Sequence, residues 1–162
     1  MKDILYKEDD FVFSFRTGGI LIRDGKILLQ KPVDDDYAII GGHIARMEIT
    51  EETLVREFKE EVHADIRIDE LMAVGEIFFP WGERQCHQVC FYYKVSLADE
   101  TQIPLDGVFK GYDSLDNERI DLDFCWVPVE ELKKGLKVYP TELIPYILEP
   151  GNEIVHFISR QI

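Results

Sequence analysis

Residues 42–64 read GHIARMEITEETLVREFKEEVHA and tie an apolar helical stripe to a dense cluster of carboxylates. Leu54, Val55, Phe58 and Val62 fall on one arc at the 3.6-residue period, which predicts an amphipathic helix with that arc against a core. Glu57, Glu60 and Glu61 share the adjoining arc, roughly 100° wide. At spacings of three and four residues they are surface neighbours, and each like-charge pair costs roughly 0.2–0.5 kcal/mol in an isolated helix. Arg56 stands one turn before Glu60 and within its reach. Thr50 is placed to cap the helix, and Glu51 and Glu52 complement the positive end of its dipole. Most charge runs are solvated faces, which is one reading of this cluster. The other is a metal site, and hard oxygen donors of this kind suit Mg²⁺ or Mn²⁺.

The residues alone leave both open, and a resemblance favours the metal site. Gly42, five residues, Glu48, seven residues, then Arg56, Glu57, Phe58, Glu60, Glu61 and Ala64 resembles the signature of the Nudix hydrolases. That signature asks for Arg-Glu-apolar-any-Glu-Glu-any-Gly-apolar at its end, and only its glycine is missing, replaced by His63. A glycine there serves a helix end that needs positive φ, and histidine is among the side chains that best tolerate it. An imidazolium would also suit the C-terminal end of the helix dipole. The resemblance implies an α/β fold, the Nudix-type α/β/α sandwich around a mixed β-sheet, with residues 1–162 as one Nudix hydrolase domain.

Length and charge agree. A chain of 162 residues, 46% hydrophobic, is enough for one well-buried core and short for two. With 18 basic against 32 acidic residues and a net charge of −14, no nonspecific grip on nucleic acid is expected, and a polyanionic substrate needs a local cation. No apolar run reaches a membrane span, and the N-terminal MKDILYKEDD has no signal-peptide core. The expected location is cytoplasmic, with no membrane partner, and a homodimer stays open. Cys86, Cys90 and Cys125 form no CxxC pair, so neither a disulfide framework nor a zinc site is expected. On a strand, Cys86 and Cys90 face one side and His87 the other.

Along the chain, Phe11, Phe13 and Phe15 alternate with Val12, Ser14 and Arg16 as a half-buried strand. Strands over residues 19–23 and 26–31 flank Asp24-Gly25, a type I′ hairpin signal. A short strand over 37–40, strands over 66–79 and 85–96, an irregular stretch over 99–121 and a strand over 122–127 follow. Pro128 opens a helix containing Glu130, Glu131 and Leu132. Residues 141–148 are read as a last helix, and 154–158 as an apolar tail.

What the resemblance implies for chemistry is hydrolysis of a pyrophosphate linkage in a nucleoside diphosphate derivative, with a nucleotide as small-molecule substrate. A nucleoside triphosphate stands slightly ahead of a nucleotide sugar such as ADP-ribose. Glu57, Glu60 and Glu61 are expected as metal ligands for Mg²⁺ or Mn²⁺, with the carbonyl of Gly42 as a further one. Glu57 is a third ligand or the water-activating base, Arg56 fixes its orientation, and Glu48 supports the loop by pairing with Arg56. Some relatives take the base from a later loop, where Asp113, Asp116 and Glu118 are the candidates. Pro80 is a weak hint of ADP-ribose specificity, and Trp81, Tyr92, Tyr93 and Tyr112 are candidates for stacking on a base. The alternative is a catalytically silent Nudix-fold module that binds a nucleotide to regulate a partner, and a plain acidic interaction domain is a further one.

Overall fold

The computed structural model describes residues 2–31, 36–115 and 118–162, with the backbone alone at 113–115 and 118–119. Its spine is a long strand. After β1 (Leu5–Lys7), β2 runs over Phe11–Arg23 and turns into β3 (Lys26–Lys31). Asp24 and Gly25 both take positive φ, 51° and 75°, the geometry that a type I′ turn requires of its two central residues. The short strands β4 (Tyr37–Ala38) and β5 (Ile40–His43) follow, and β5 pairs antiparallel with β2.

The two longest strands, β6 (Ile66–Trp81) and β7 (Arg84–Leu97), form an antiparallel hairpin through Gly82, at φ 61°. β7 lies parallel to β2 from Phe11↔Gln85 to Leu21↔Val95. β8 (Val108–Leu115) and β9 (Glu118–Pro128) form a second hairpin, and β9 pairs antiparallel with β3. Later come a helix α2 (Val129–Lys133), a strand β10 (Val138–Tyr139), a 3₁₀ turn (Thr141–Leu143), a helix α3 (Ile144–Leu148) and a last strand β11 (Val155–Arg160). β11 lies parallel to β6 at one edge and β10 parallel to β4 at the other, so the sheet is mixed.

Two apolar layers cover its faces. On one side the helix α1 (Thr50–Glu57) and the π-helical turn after it (Phe58–Val62) bury Leu54, Phe58 and Val62 against Leu21, Tyr93, Val95 and Phe124. On the other, Leu132, Leu143 and Ile147 pack with Ile20, Ile77, Tyr92 and Phe157. Helices on both faces of a mixed sheet make this the α/β/α sandwich that the sequence implies. Among the described residues no helix is long and apolar enough to cross a membrane.

Several expectations need correction. The stretch 99–121 is not irregular throughout, because its second half forms β8 and the start of β9. The tail 154–158 becomes β11, held by backbone pairing to β6 that its few apolar residues could not announce. On β2 the phenylalanine face is the open one. Val12 and Ser14 are fully buried, whereas Phe11, Phe13 and Phe15 are only half-buried, since the helix covers their face no further than about Tyr93. Val55, assigned to the buried arc, is 37% exposed. Leu54, Phe58 and Val62 are the buried apolar side chains of the helix.

Candidate active site

The site grows from the β5–α1 loop. Ile49, not Thr50, occupies the N-cap position, and Glu52 reaches back to accept from the Ile49 backbone N–H at 3.0 Å. Thr50 is the first helical residue, and its hydroxyl lies 2.5 Å from the Tyr93 hydroxyl, pinning the helix start to β7. The loop is stitched to the helix by Glu48. Its Oε2 accepts from the buried Thr53 hydroxyl at 2.6 Å, and Arg56 donates from Nε at 3.0 Å to Oε1 and from Nη2 at 3.2 Å to Oε2.

Arg56 is the centre of the cluster. Besides gripping Glu48, its Nη1 donates to Glu57 Oε1 at 3.2 Å and to Glu60 Oε2 at 3.1 Å. A planar fork with five donors can span three separated carboxylates, one of them through two nitrogens, which the point charge of a lysine does not reproduce. The bonds from Arg56, together with that from Thr53, hold the Glu48 carboxyl below its ordinary range in spite of burial. Burial alone would lower the Arg56 pKa, but Glu48, Glu57 and Glu60 outweigh it and raise it.

Glu57 rests on a glycine. A Cβ added at Gly42 would fall 2.4 Å from the Glu57 Cδ, so only glycine leaves room for the carboxyl there. Gly42 pairs with Thr17 of β2, and this ladder is the floor under Glu57. Glu57 is 13% exposed in its side chain, Glu60 is 52% exposed, and Glu61 is buried at 8%. The three therefore do not share one arc evenly. α1 gives way at Phe58 to a wider π turn closed by the His63 N–H on the Phe58 carbonyl, which the Ala64 N–H also reaches at 3.3 Å. One extra residue in a turn shifts helix phase by roughly 100°. Glu61 lies inward as a result, and its backbone carbonyl sits where a Cβ on Gly111 of β8 would come within 2.1 Å.

His63 ends the turn in the left-handed region, φ 63° and ψ 32°, the conformation expected of the missing glycine. Its ring lies 4.6 Å from that of Tyr112. His43, at the end of β5, has its pKa pushed down to about 4 by burial and by the nearby charges of Arg16 and Lys7.

The donor set fits a hard divalent ion in its chemistry: glutamate oxygens along one helix, one of them seated in a cradle that a Cβ at Gly42 would fill. Among the described residues no three carboxylate, imidazole or thiol groups are gathered closely enough to hold an ion as they stand. Glu57 and Glu60 turn instead toward Arg56. Of the later-loop candidates, Asp116 lies outside the described residues, while Asp113 on β8 and Glu118 on β9 have no described side chains. Cys86 and Cys90 are buried, and His87 on the opposite face stacks on Phe78 at 4.5 Å, as ordinary strand residues do.

Beside the β2–β5 ladder opens a cleft of about 610 Å³. Arg16, Gly18, Ile39, Phe79, Gln88 and Tyr92 are among its lining residues, and Pro80 also borders it. Gly18 pairs with Gly41 and Thr17 with Gly42, so the cleft and the Glu57 seat belong to neighbouring rungs of one ladder, on opposite faces of the sheet. The sequence missed Arg16 and Gln88. The available signal was a polar pair, Ser14 and Arg16, on a face of β2 that also holds Val12. Of the stacking candidates, Tyr92 lines the cleft and Trp81 lies beside it under Lys7, 5.4 Å from the ring centre. Tyr93 is engaged with Thr50 and Tyr112 with His63.

Comparison with known proteins agrees with this geometry. The family model described as NUDIX domain matches residues 14–147. A NUDIX hydrolase from Nitrosomonas europaea is 18% identical, with a TM-score of 0.61 over 91% of this chain and 79% of that one. A MutT protein from Bacillus halodurans is also 18% identical, with a TM-score of 0.61 over 91% of each chain. An ADP-ribose pyrophosphatase from Streptococcus suis is 15% identical, with a TM-score of 0.57 over 90% of this chain and 98% of that one. No curated protein matches the chain in sequence.

Proposed function

This chain belongs to the NUDIX hydrolase family, and on that premise we propose that it hydrolyses a pyrophosphate linkage in a nucleoside triphosphate or a nucleotide sugar, with Mg²⁺ or Mn²⁺. The observation that carries the reading is the Arg56 fork, which draws Glu48, Glu57 and Glu60 together over Gly42. In this reading Glu57, Glu60, Glu61 and the Gly42 carbonyl hold the ion. When bound, it neutralises phosphate charge and lowers the pKa of a coordinated water.

The chain's own groups do the positioning. Glu48 fixes the Arg56 guanidinium through two of its nitrogens, leaving Nη1 to aim Glu57 and Glu60. Glu57, held from below by Gly42 and from the side by Arg56, accepts the proton of the attacking water on a carboxylate oxygen. The cleft takes the nucleoside, its apolar wall of Ile39, Phe79 and Tyr92 receiving the ring and the Gln88 amide offering a polar edge. Since phosphoryl transfer needs little covalent help, such placement supplies most of the acceleration.

The test is a phosphate-release screen with Mg²⁺ over nucleoside triphosphates, nucleotide sugars and dinucleoside polyphosphates. Turnover of at least one class, abolished by EDTA, is the expected result. Nucleotide binding that ignores EDTA, with no turnover of any substrate, would replace the enzyme by a silent binding module.

A further inference from the structure

In a chain of net charge −14, several of the described cations form no ion pair, and what distinguishes two of them is where they lie. Arg23, Lys26, Arg56, Lys59, Lys94 and Lys110 each pair with a carboxylate. Arg16 and Lys7 form no ion pair among the described residues. Both lie near His43. Arg16 lines it directly, and its register partner across the β2–β5 ladder is His43, which therefore projects from the same face. Lys7 pairs in register with Val12, an even-numbered β2 residue like Arg16, and lies over the Trp81 ring. The His43 ring is 6.2 Å from that of Trp81, which closes the group.

Placement gives the group its meaning. Arg16↔His43 is the rung next to Thr17↔Gly42, the floor beneath Glu57, and projects from the opposite face of the sheet one residue away. The rest of the described cleft is aromatic, aliphatic and amide in character, with Asp36 as its other charged side chain. A half-buried guanidinium in such surroundings has lost part of its hydration without gaining a carboxylate. Its planar fork matches the oxygens of a phosphate, and a lysine beside it adds a second positive charge.

We propose that Arg16, supported by Lys7, is the positioning residue for the phosphate on the nucleoside side of the cleaved bond, and that it binds this phosphate without help from a divalent ion. The inference rests on the phosphoanhydride-hydrolase reading for its place in turnover, but the anion site itself does not need that reading. Its consequence is a division of labour between the two faces of one ladder. The glutamates and their ion act on the bond that breaks, while Arg16 holds the part of the substrate that is kept.

The test is calorimetric titration with a nucleoside 5′-monophosphate in EDTA at low salt. Wild type, Arg16→Gln, Arg16→Lys and Lys7→Gln are compared, with the unphosphorylated nucleoside as control. Wild type should bind the monophosphate, Arg16→Gln should weaken it by about tenfold or more, and Arg16→Lys should recover part of the loss. The bare nucleoside should bind wild type and Arg16→Gln alike. In turnover, Arg16→Gln should raise KM far more than it lowers kcat, the pattern of lost ground-state binding. Equal monophosphate affinity in wild type and Arg16→Gln would overturn the proposal, as would no binding to wild type in EDTA. Arg16-dependent binding in a protein that turns over no phosphoanhydride would keep the anion site and remove the hydrolase reading. Melting temperatures identify any variant that loses its fold, and Arg16→Lys and Lys7→Gln keep the comparison open in that event.

Discussion

Replacing Gly42 by alanine separates the seat of Glu57 from the fold that carries it. The new Cβ would lie 2.4 Å from the Glu57 Cδ and 2.7 Å from its Oε1, against the 3.4 Å at which ordinary contact begins. The carboxyl must therefore retreat by about 1 Å. Retreat drives the side chain off its rotamer, at about 0.5–1.5 kcal/mol. It also weakens the 3.2 Å bond from Arg56, worth roughly 1 kcal/mol for a pair that is partly exposed. A small gain from the stiffer unfolded chain offsets part of this. The net cost is about 1–2 kcal/mol, which for a chain of this length lowers the melting temperature by roughly 2–8 °C. Activity should suffer far more, because a misplacement of about 1 Å in a catalytic group can cost on the order of 10² in rate. Gly41→Ala is the contrast. There the Cβ would meet the Thr17 carbonyl oxygen at 1.9 Å, and a ladder backbone cannot retreat as a side chain can. Thermal melts and phosphate release under saturating Mg²⁺, run on both variants, check the argument. Wild-type kcat in Gly42→Ala, or a fold loss equal to that of Gly41→Ala, would refute it.

Arg56→Lys keeps the charge but not the fork, so it should lower kcat strongly with little change in KM and cost about 1–3 kcal/mol of stability, read by substrate kinetics and urea unfolding. A large rise in KM at unchanged kcat would mean that Arg56 grips substrate instead. Glu61→Gln should reduce turnover by about 10² to 10⁴ at saturating Mg²⁺ while the protein stays folded, and wild-type turnover would remove Glu61 from the mechanism. His43, at about 4, has a folded pKa below its ordinary value, so its contribution to stability is complete above about pH 6.5 and declines as pH falls toward 4. Urea midpoints should show wild type losing roughly 2 kcal/mol more than His43→Asn between pH 7 and pH 5, and identical losses would show that the imidazole does not resist protonation.

Much of the box was readable because its information is local. Glu48, Arg56, Glu57 and Glu60 lie within about three helical turns, and side chains that close meet largely through the helical period. The bond Arg56 makes to Glu60 follows from that spacing, whereas its pairing with Glu48 and the left-handed residue at His63 were legible through the resemblance. The helix start was less legible. Ile49 rather than Thr50 takes the cap, because the Thr50 hydroxyl is engaged by Tyr93, a partner 43 residues away that no local rule names.

By itself the sequence determined the carboxylate cluster and its arginine, the I′ hairpin at Asp24-Gly25, the mixed α/β character and the family. Each of these rests on contacts a few residues apart or on fixed spacing. Only the tertiary structure decided which face of β2 is buried, since alternation shows that a strand has two faces but not which one a neighbouring layer will cover. The inward position of Glu61 likewise depends on the π turn and on Gly111, which comes from a hairpin some fifty residues further along the chain. The cleft is the clearest case. Arg16, Ile39, Phe79, Gln88 and Tyr92 come from four separate stretches of chain, and strand pairing alone brings them to one wall. Register across a sheet is set by the summed burial of whole strands, a quantity no short window of sequence contains.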